Sequence, residues 1–305
     1  MRIIKLMAMS ALVLGAVIGC AKKDEEDIQS LLERSWFVGE ASVQTADDST
    51  STPQTFAGPA PALDTIGFVR WVRHIERPVE WNFNITVNGD TAEAVITGHF
   101  QGTPPGYGLF VLNDTFAPIY IRTISDSIVR KVRLYRDDIG WHILALTVAD
   151  MFTAGTGHPV TITSVRAEVP SRSYVFEVTG ADQYFTKDQL PRFHPSDTVV
   201  VTVACSVLDD SSWTFLHHGA GHRPGVGLPR HWREPFYREN TTTFTRTWII
   251  ASDSVLATPA VRHSAVDVLG WQTLWGDSTA TYYSRAWGLP YIVAGSGDTL
   301  PGDEE

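Results

Sequence analysis

The sequence predicts a mainly β protein in two parts, a mixed α+β unit followed by an antiparallel β-sandwich. Three observations point to this. Helix-period apolar stripes are confined to the first 75 residues. From Glu80 onward apolar side chains recur at every second position. Beyond Val160, seven or eight short strand-like runs follow with no helical pattern among them, the mark of two packed sheets. A chain of 305 residues fits about two domains, and 43% hydrophobic content excludes wholesale disorder.

The chain opens with Arg2 and Lys5, then an apolar run of 14 residues from Leu6 to Gly19. That run is too short for a helix to cross a hydrocarbon core of ~30 Å. It ends in Val17-Ile18-Gly19-Cys20. These residues resemble the lipobox of bacterial lipoproteins, which implies removal of residues 1–19 and attachment of diacylglycerol to the Cys20 thiol. The other reading is an ordinary secretory signal with an incidental cysteine. Loss of Arg2 and Lys5 takes the formal charge from −10 to −12. An acidic chain of this kind argues against a nucleic-acid partner. Two cysteines exclude a disulfide scaffold. Cys205 falls on the strand face of Val199, Val201 and Val203, with no base adjacent, and reads as a buried small hydrophobe.

Lys23-Asp24-Glu25-Glu26 resembles the short export tag of surface-exposed bacterial lipoproteins, and it also suits the acidic first turn of a helix. Residues 24–37 read as that helix, with Ile28, Leu31, Leu32, Ser35 and Trp36 on one face. Residues 44–64, rich in Thr, Ser, Asp, Pro and Ala, read as a flexible loop. Ile66 to Ile75 brings a second short helical stripe. Trp81, Phe83, Ile85 and Val87 then alternate with polar residues, and Asn88-Gly89-Asp90 turns the chain into a return strand over 91–102. Further strands are expected at 107–112, 128–135 and 141–148. The segments Val87–Val95 and Val132–Ile143 resemble two hairpins of the nuclear-transport-factor-two-like fold, a cystatin-like roll. The resemblance covers about residues 24–150 and implies an α+β roll over 20–152; a lipocalin-like or other α+β roll is the alternative.

Residues 153–159, small and polar, read as a linker. Strands are expected at 160–169, 174–179, 199–207, 213–217, 242–250, 265–269, 281–287 and 291–293. Together they resemble an immunoglobulin-like domain, without its inter-sheet disulfide, over 160–294. Residues 295–305 read as an acidic flexible tail.

The sequence carries no zinc, serine-hydrolase, Walker or Rossmann motif, so neither an enzyme nor a cofactor is expected. Asp137-Asp138 and Asp209-Asp210 are turn residues by context. One segment stands apart: residues 217–239 hold four of the ten His and four of the 19 Arg, at a formal charge of +2. His217, His218 and His222 are weak metal candidates, because adjacent strand residues point to opposite faces. Arg223, Arg230, His231, Trp232, Arg233, Phe236, Tyr237 and Arg238 have the composition of a recognition surface for an acidic protein or a glycan. The competing reading packs this segment back on its own domain. In the roll, Arg130 shares a strand face with Ile128, Val132 and Leu134, where it needs a carboxylate or an anion unless it lies at the sheet's end in solvent. Trp81, Phe83, Tyr120 and Asp150 are candidates to complete a pocket around it.

The expectation is a lipid-anchored protein of the cell envelope, at the outer membrane on its periplasmic side or the cell surface. It would contact the membrane through Cys20 and bind an envelope protein or glycan through residues 217–238. Small-ligand binding or weak catalysis in the roll, or a purely structural spacer, are the alternatives.

Overall fold

The computed structural model describes residues 22–38, 69–76, 79–102, 108–113, 119–155, 160–207, 212–221, 232–252, 259–276 and 279–299. Helix α1 covers residues 22–34. Its stripe buries Ile28, Leu31 and Leu32 at 0%, 5% and 1% exposure, and a turn follows through Val38. The strands of the first half are β1 (Val69–His74), β2 (Glu80–Asn88), β3 (Thr91–Gly102), β4 (Gly108–Asn113), β5 (Ile119–Arg122), β6 (Ile124–Arg136), β7 (Trp141–Leu146) and β8 (Ala149–Thr153). The second half adds β9 (Val160–Val169), β10 (Tyr174–Val178), β11 (Phe185–Thr186), β12 (Arg192–Phe193), β13 (Thr198–Val207), β14 (Ser212–Gly221) and β15 (Trp232–Pro235). After these come β16 (Tyr237–Arg238), β17 (Thr243–Ile249), β18 (Ala260–Gly270), helix α2 (Trp271–Trp275) and β19 (Ser284–Val293).

The protein is mainly β with antiparallel sheets, as the alternation requires. Among the described residues the strands form three sheets. An eleven-stranded sheet runs from β2 through β3 to β6, continues through β8 to β19, β18, β14 and β15, and adds β7, β11 and β12 at its edges. A five-stranded sheet has the order β10-β9-β13-β17-β16, and a three-stranded sheet the order β1-β4-β5.

Strand β8 joins the two halves of the chain. Met151 pairs with Ile128 of β6 on one side and with Ala286 of β19 on the other. One sheet therefore crosses the segment 153–159 that reads as a linker. The main core is shared as well: one cluster of buried side chains extends from Ile28 and Leu32 through Val132 and Val203 to Trp287 and Val293.

The large sheet is covered on both faces, on opposite sides in its two halves. In the first half α1 lies on the face of Ile96, Val132 and Leu134. In the second half the five-stranded sheet packs on the opposite face, through Val201, Val203 and Trp248 against Val266, Trp287 and Tyr291. Cys205 belongs to that packed face at 3% exposure, and burial raises its thiol pKa, so it behaves as a small hydrophobe.

Residues 66–75 depart from expectation. The stripe that reads as helix forms strand β1, paired with β4 from Val69↔Asn113 to His74↔Gly108. Val69, Trp71 and Val72 suit a strand as well as a helix in so short a run, and pairing decides between them. The two short runs expected at 281–287 and 291–293 are one strand, β19, continuous through Pro290. A five-residue helix, α2, stands where only strands were expected.

Two glycines are required by geometry. Gly89 takes φ +61° in the β2–β3 turn. Gly98 on β3 lies against the Trp81 ring, where an added Cβ would meet Trp81 Cζ3 at 2.6 Å and Ile128 Cγ2 at 2.9 Å. Gly98→Ala is therefore expected to destabilise the fold by about 1–3 kcal/mol through overpacking. Adding Trp81→Leu should recover part of that loss in urea melts; an undiminished midpoint for Gly98→Ala alone would count against the packing assignment.

Candidate functional site

Paired positions in a sheet share a face, so the register sorts the polar side chains. Asp126 on β6 pairs with Thr153 on β8. Asp267 on β18 pairs with Ala286 on β19 and Phe215 on β14. Both carboxylates lie on one face of the large sheet, and Arg73 from β1 reaches in among them. Arg73 is 0% exposed, Asp126 0% and Asp267 1%.

Arg73 Nη2 donates to Asp267 Oδ2 at 2.9 Å and to Ser284 Oγ at 3.2 Å. Ser284 Oγ donates to Asp267 Oδ1 at 2.9 Å. His217 Nε2 lies 3.4 Å from Asp267 Oδ2. Tyr282 Oη donates to Asp126 Oδ2 at 2.7 Å, while Asp126 Oδ1 is buried and makes no hydrogen bond within 3.5 Å among the described residues.

The two carboxyls are driven apart. Burial pushes Asp267 up, but Arg73, His217 and Ser284 outweigh it and hold the group at about 2. For Asp126 burial prevails over Arg73 and Tyr282, and the group rises to about 6. A pair with separated acidities can divide acid and base roles. The order of the groups is wrong for a nucleophilic triad, however. Asp267 stands between Ser284 and His217, so the imidazole cannot take the Ser284 proton directly. What the arrangement does accomplish is to neutralise Arg73 inside the fold and fix β1 to β18 and β19.

The expected pocket residues divide between the two faces. Phe83 pairs with Ile96 and Ile96 with Arg130, so those three form one row. Trp81 lies one row away, half-buried and edge-on to Phe100 at 5.9 Å between centroids. Asp150 pairs with Val129 and so lies on the opposite face. It is engaged there by Arg285 Nε at 3.0 Å and Trp287 Nε1 at 3.1 Å. The side chain of Tyr120 lies outside the described residues.

Arg130 is not at a solvated sheet end: it is 3% exposed. Among the described residues no carboxylate meets it. Its Nη1 donates to the Phe37 carbonyl at 3.2 Å and its Nη2 to the Gly288 carbonyl at 3.1 Å, and burial pulls its pKa down to about 10. Beside it, His263 Nε2 donates to the Trp36 carbonyl at 2.6 Å. Burial, with Arg130 close by, lowers His263 to about 3, so the ring is neutral. Both groups hold carbonyls just beyond the end of α1, and the helix dipole there favours the charge of Arg130.

The segment over 217–238 is anchored in the sheet at both ends. His218 pairs with Trp232, closing the β14–β15 hairpin. His217 and His218 are both buried and face opposite ways, His217 toward Asp267 and His218 toward Glu234, 3.5 Å from Nε2 to Oε1. His222, Arg223, Arg230 and His231 lie outside the described residues, as do the side chains of Trp232 and Arg233. Phe236 is buried at 4% and belongs to the core, which corrects its place in a contact surface. Tyr237 is 42% exposed, with the Arg246 guanidinium 6.0 Å from its ring centre. Arg238 is half-buried and donates to the Asn240 carbonyl at 3.3 Å. Among the described residues no group of three or more His, Cys, Asp or Glu is placed to hold a metal.

An apolar cavity of about 60 Å³ lies between the five-stranded and the large sheet, walled by Phe176, Phe193, Leu216, Trp248, Trp287 and Tyr291 among others. Its wall comes from the second half of the chain except for Val148, and Phe83, Ile96 and Arg130 do not line it. No protein-family model matches the sequence, and no curated protein matches it.

The polar cluster went unseen in the sequence, though it left a trace. Asp126 stands in Ile124-Ser-Asp-Ser-Ile128, and Asp267 in Ala265-Val-Asp-Val-Leu269. Each is a carboxylate at a position where alternation calls for an apolar residue. Such a residue needs a buried partner.

Proposed function

We propose that the protein is a lipid-anchored component of the cell envelope at the outer membrane, a cystatin-like roll joined to an immunoglobulin-like sandwich. It binds or scaffolds an envelope protein or glycan through the Arg-rich segment after β14. The lipobox-like sequence ending at Cys20 supports the anchor. The observation that carries the contact surface is the paired base of the β14–β15 hairpin, His218↔Trp232, with β15 last in the order of the large sheet; in sequence the residues between the two strands include Arg223, Arg230 and His231. A long cationic connection on a rigid, paired base is the usual form of a recognition loop. Tyr237 on β16 adds an aromatic side chain open to solvent.

The test replaces Arg230, Trp232, Arg233 and Tyr237 by Ala and repeats a pull-down from detergent-solubilised native envelope. Loss of one hot-spot side chain costs at least about tenfold in affinity, so partner recovery should collapse. Undiminished recovery from a folded variant sinks the contact surface. A second reading, binding of a small apolar molecule, is favoured by the cavity between the sheets, which has room for a few carbon atoms.

A further inference from the structure

We infer that the end of the protein carrying the 88–91 and 137–140 turns rests on the bilayer, and that Ile139 enters a lipid surface of low anionic charge there. The inference rests on acylation of Cys20. Only Ala21 separates that residue from the first residue of α1, and two residues reach at most about 7 Å. The lipid therefore enters beside the start of α1.

Helix α1 has no slack. Near its start Asp24 Oδ1 accepts from Arg136 Nη1 at 2.8 Å and from Trp141 Nε1 at 3.3 Å. Beyond its end Arg130 and His263 hold the Phe37 and Trp36 carbonyls. Between these clamps Ile28, Leu31 and Leu32 are buried. The anchor thus fixes the attitude of the whole body and not merely its distance from the membrane.

The clamp at the start lies at the mouth of the β6–β7 turn. Arg136 is its last strand residue before the turn, and Trp141 its first after. Arg136 Nη2 also reaches Asp90 of the neighbouring β2–β3 turn at 3.1 Å, so both tips converge on the start of α1. At the tip, Ile139 is 88% exposed, the most exposed of the large hydrophobic side chains described. Asp137 Oδ1 accepts from the Ile139 and Gly140 amides at 2.8 and 3.2 Å, which holds the turn in one shape. A lone apolar side chain on a surface is ordinary; this one is presented by a rigid turn at the point where the acyl chains enter. Asp90, Asp137 and Asp138 around it outnumber Arg136, and at the start of α1 Asp24, Glu25, Glu26 and Asp27 outnumber Lys22 and Lys23, so anionic headgroups are repelled and zwitterionic ones admitted.

The experiment uses the full acylated chain in phosphatidylethanolamine-rich vesicles, with and without phosphatidylglycerol. Ile139→Cys carries an environment-sensitive NBD label. Ile249→Cys, at a site 65% exposed, is the control, and Cys205 is buried and escapes labelling. Vesicle flotation and intact mass report the anchor separately. The expected result is a blue-shifted label at 139, quenched by lipids brominated along the chain, with a water-like label at 249 and weaker quenching at 139 when phosphatidylglycerol is added. Vesicle-bound protein with 139 as water-like as 249, or with both sites quenched alike, overturns the orientation while leaving the anchor intact. Stronger quenching on anionic vesicles overturns the charge preference. Unacylated Cys20, or failure to float, overturns the anchor and the inference together.

Discussion

Asp267→Ala is expected to cost about 3–5 kcal/mol of folding stability, the usual loss when one partner of a buried ion pair is removed. Arg73 is 0% exposed and makes its charged contact with Asp267. Without that carboxylate a guanidinium stays inside the fold beside Ser284 and His217, with the Asp126 charge also near. The double variant Arg73→Met/Asp267→Leu removes charge from both sides and should recover most of the loss. Urea denaturation of the wild type, Arg73→Met, Asp267→Leu and the double variant measures the cycle, with Asp267→Ala beside them. If Asp267→Ala unfolds within 1 kcal/mol of the wild type, the pair is not holding β1 to the large sheet.

Asp126→Asn is expected to act in the opposite direction, and only above pH 4. The folded protein holds the Asp126 proton up to about pH 6, against an ordinary value of 3.8. Between those two values the folded state binds more protons than the unfolded chain, so raising the pH destabilises it. The interval corresponds to about 3 kcal/mol. Below pH 4 variant and wild type should be equally stable. By pH 7 the variant should be more stable by up to that amount, since an amide can still accept from Tyr282. Asp267 titrates in a separate window. Held at about 2, it adds stability present above pH 4 and lost as pH falls toward 2. Denaturation curves at pH 2, 3, 4, 5, 6 and 7 separate the two, and parallel pH profiles of wild type and Asp126→Asn would falsify the assignment of Asp126 as the raised group.

Alternation made much of the fold legible. Trp81, Phe83, Ile85 and Val87 mark β2, and the face of Val199, Val201, Val203 and Cys205 marks β13. Both signals are local, because a strand half-buried on one side writes its burial into neighbouring positions. Which strands pair is not local. Nothing in residues 149–153 shows that β8 accepts β6 on one edge and β19 on the other. Residues 69–74 satisfy both a helix and a strand period, and only pairing with β4 decides. The candidate site was legible to the same degree. Arg130 could be placed on an inward face, because its own strand says so. Its partners could not be named, because they are the carbonyls of Phe37 and Gly288, and a carbonyl has no letter in the sequence. Opposite orientations of His217 and His218 follow from strand period alone and are present in the structure.

The place of β19 bears on how the chain reaches this structure. It lies between β8 and β18, and its partner Asp150 precedes Trp287 by more than a hundred residues. During synthesis the large sheet stays in two pieces until residues 284–293 emerge, each with an unpaired edge able to join a neighbouring chain. Closing the gap is a late, long-range step that sets a slow folding rate. Chains released before that step are the ones a quality-control protease or a chaperone will meet.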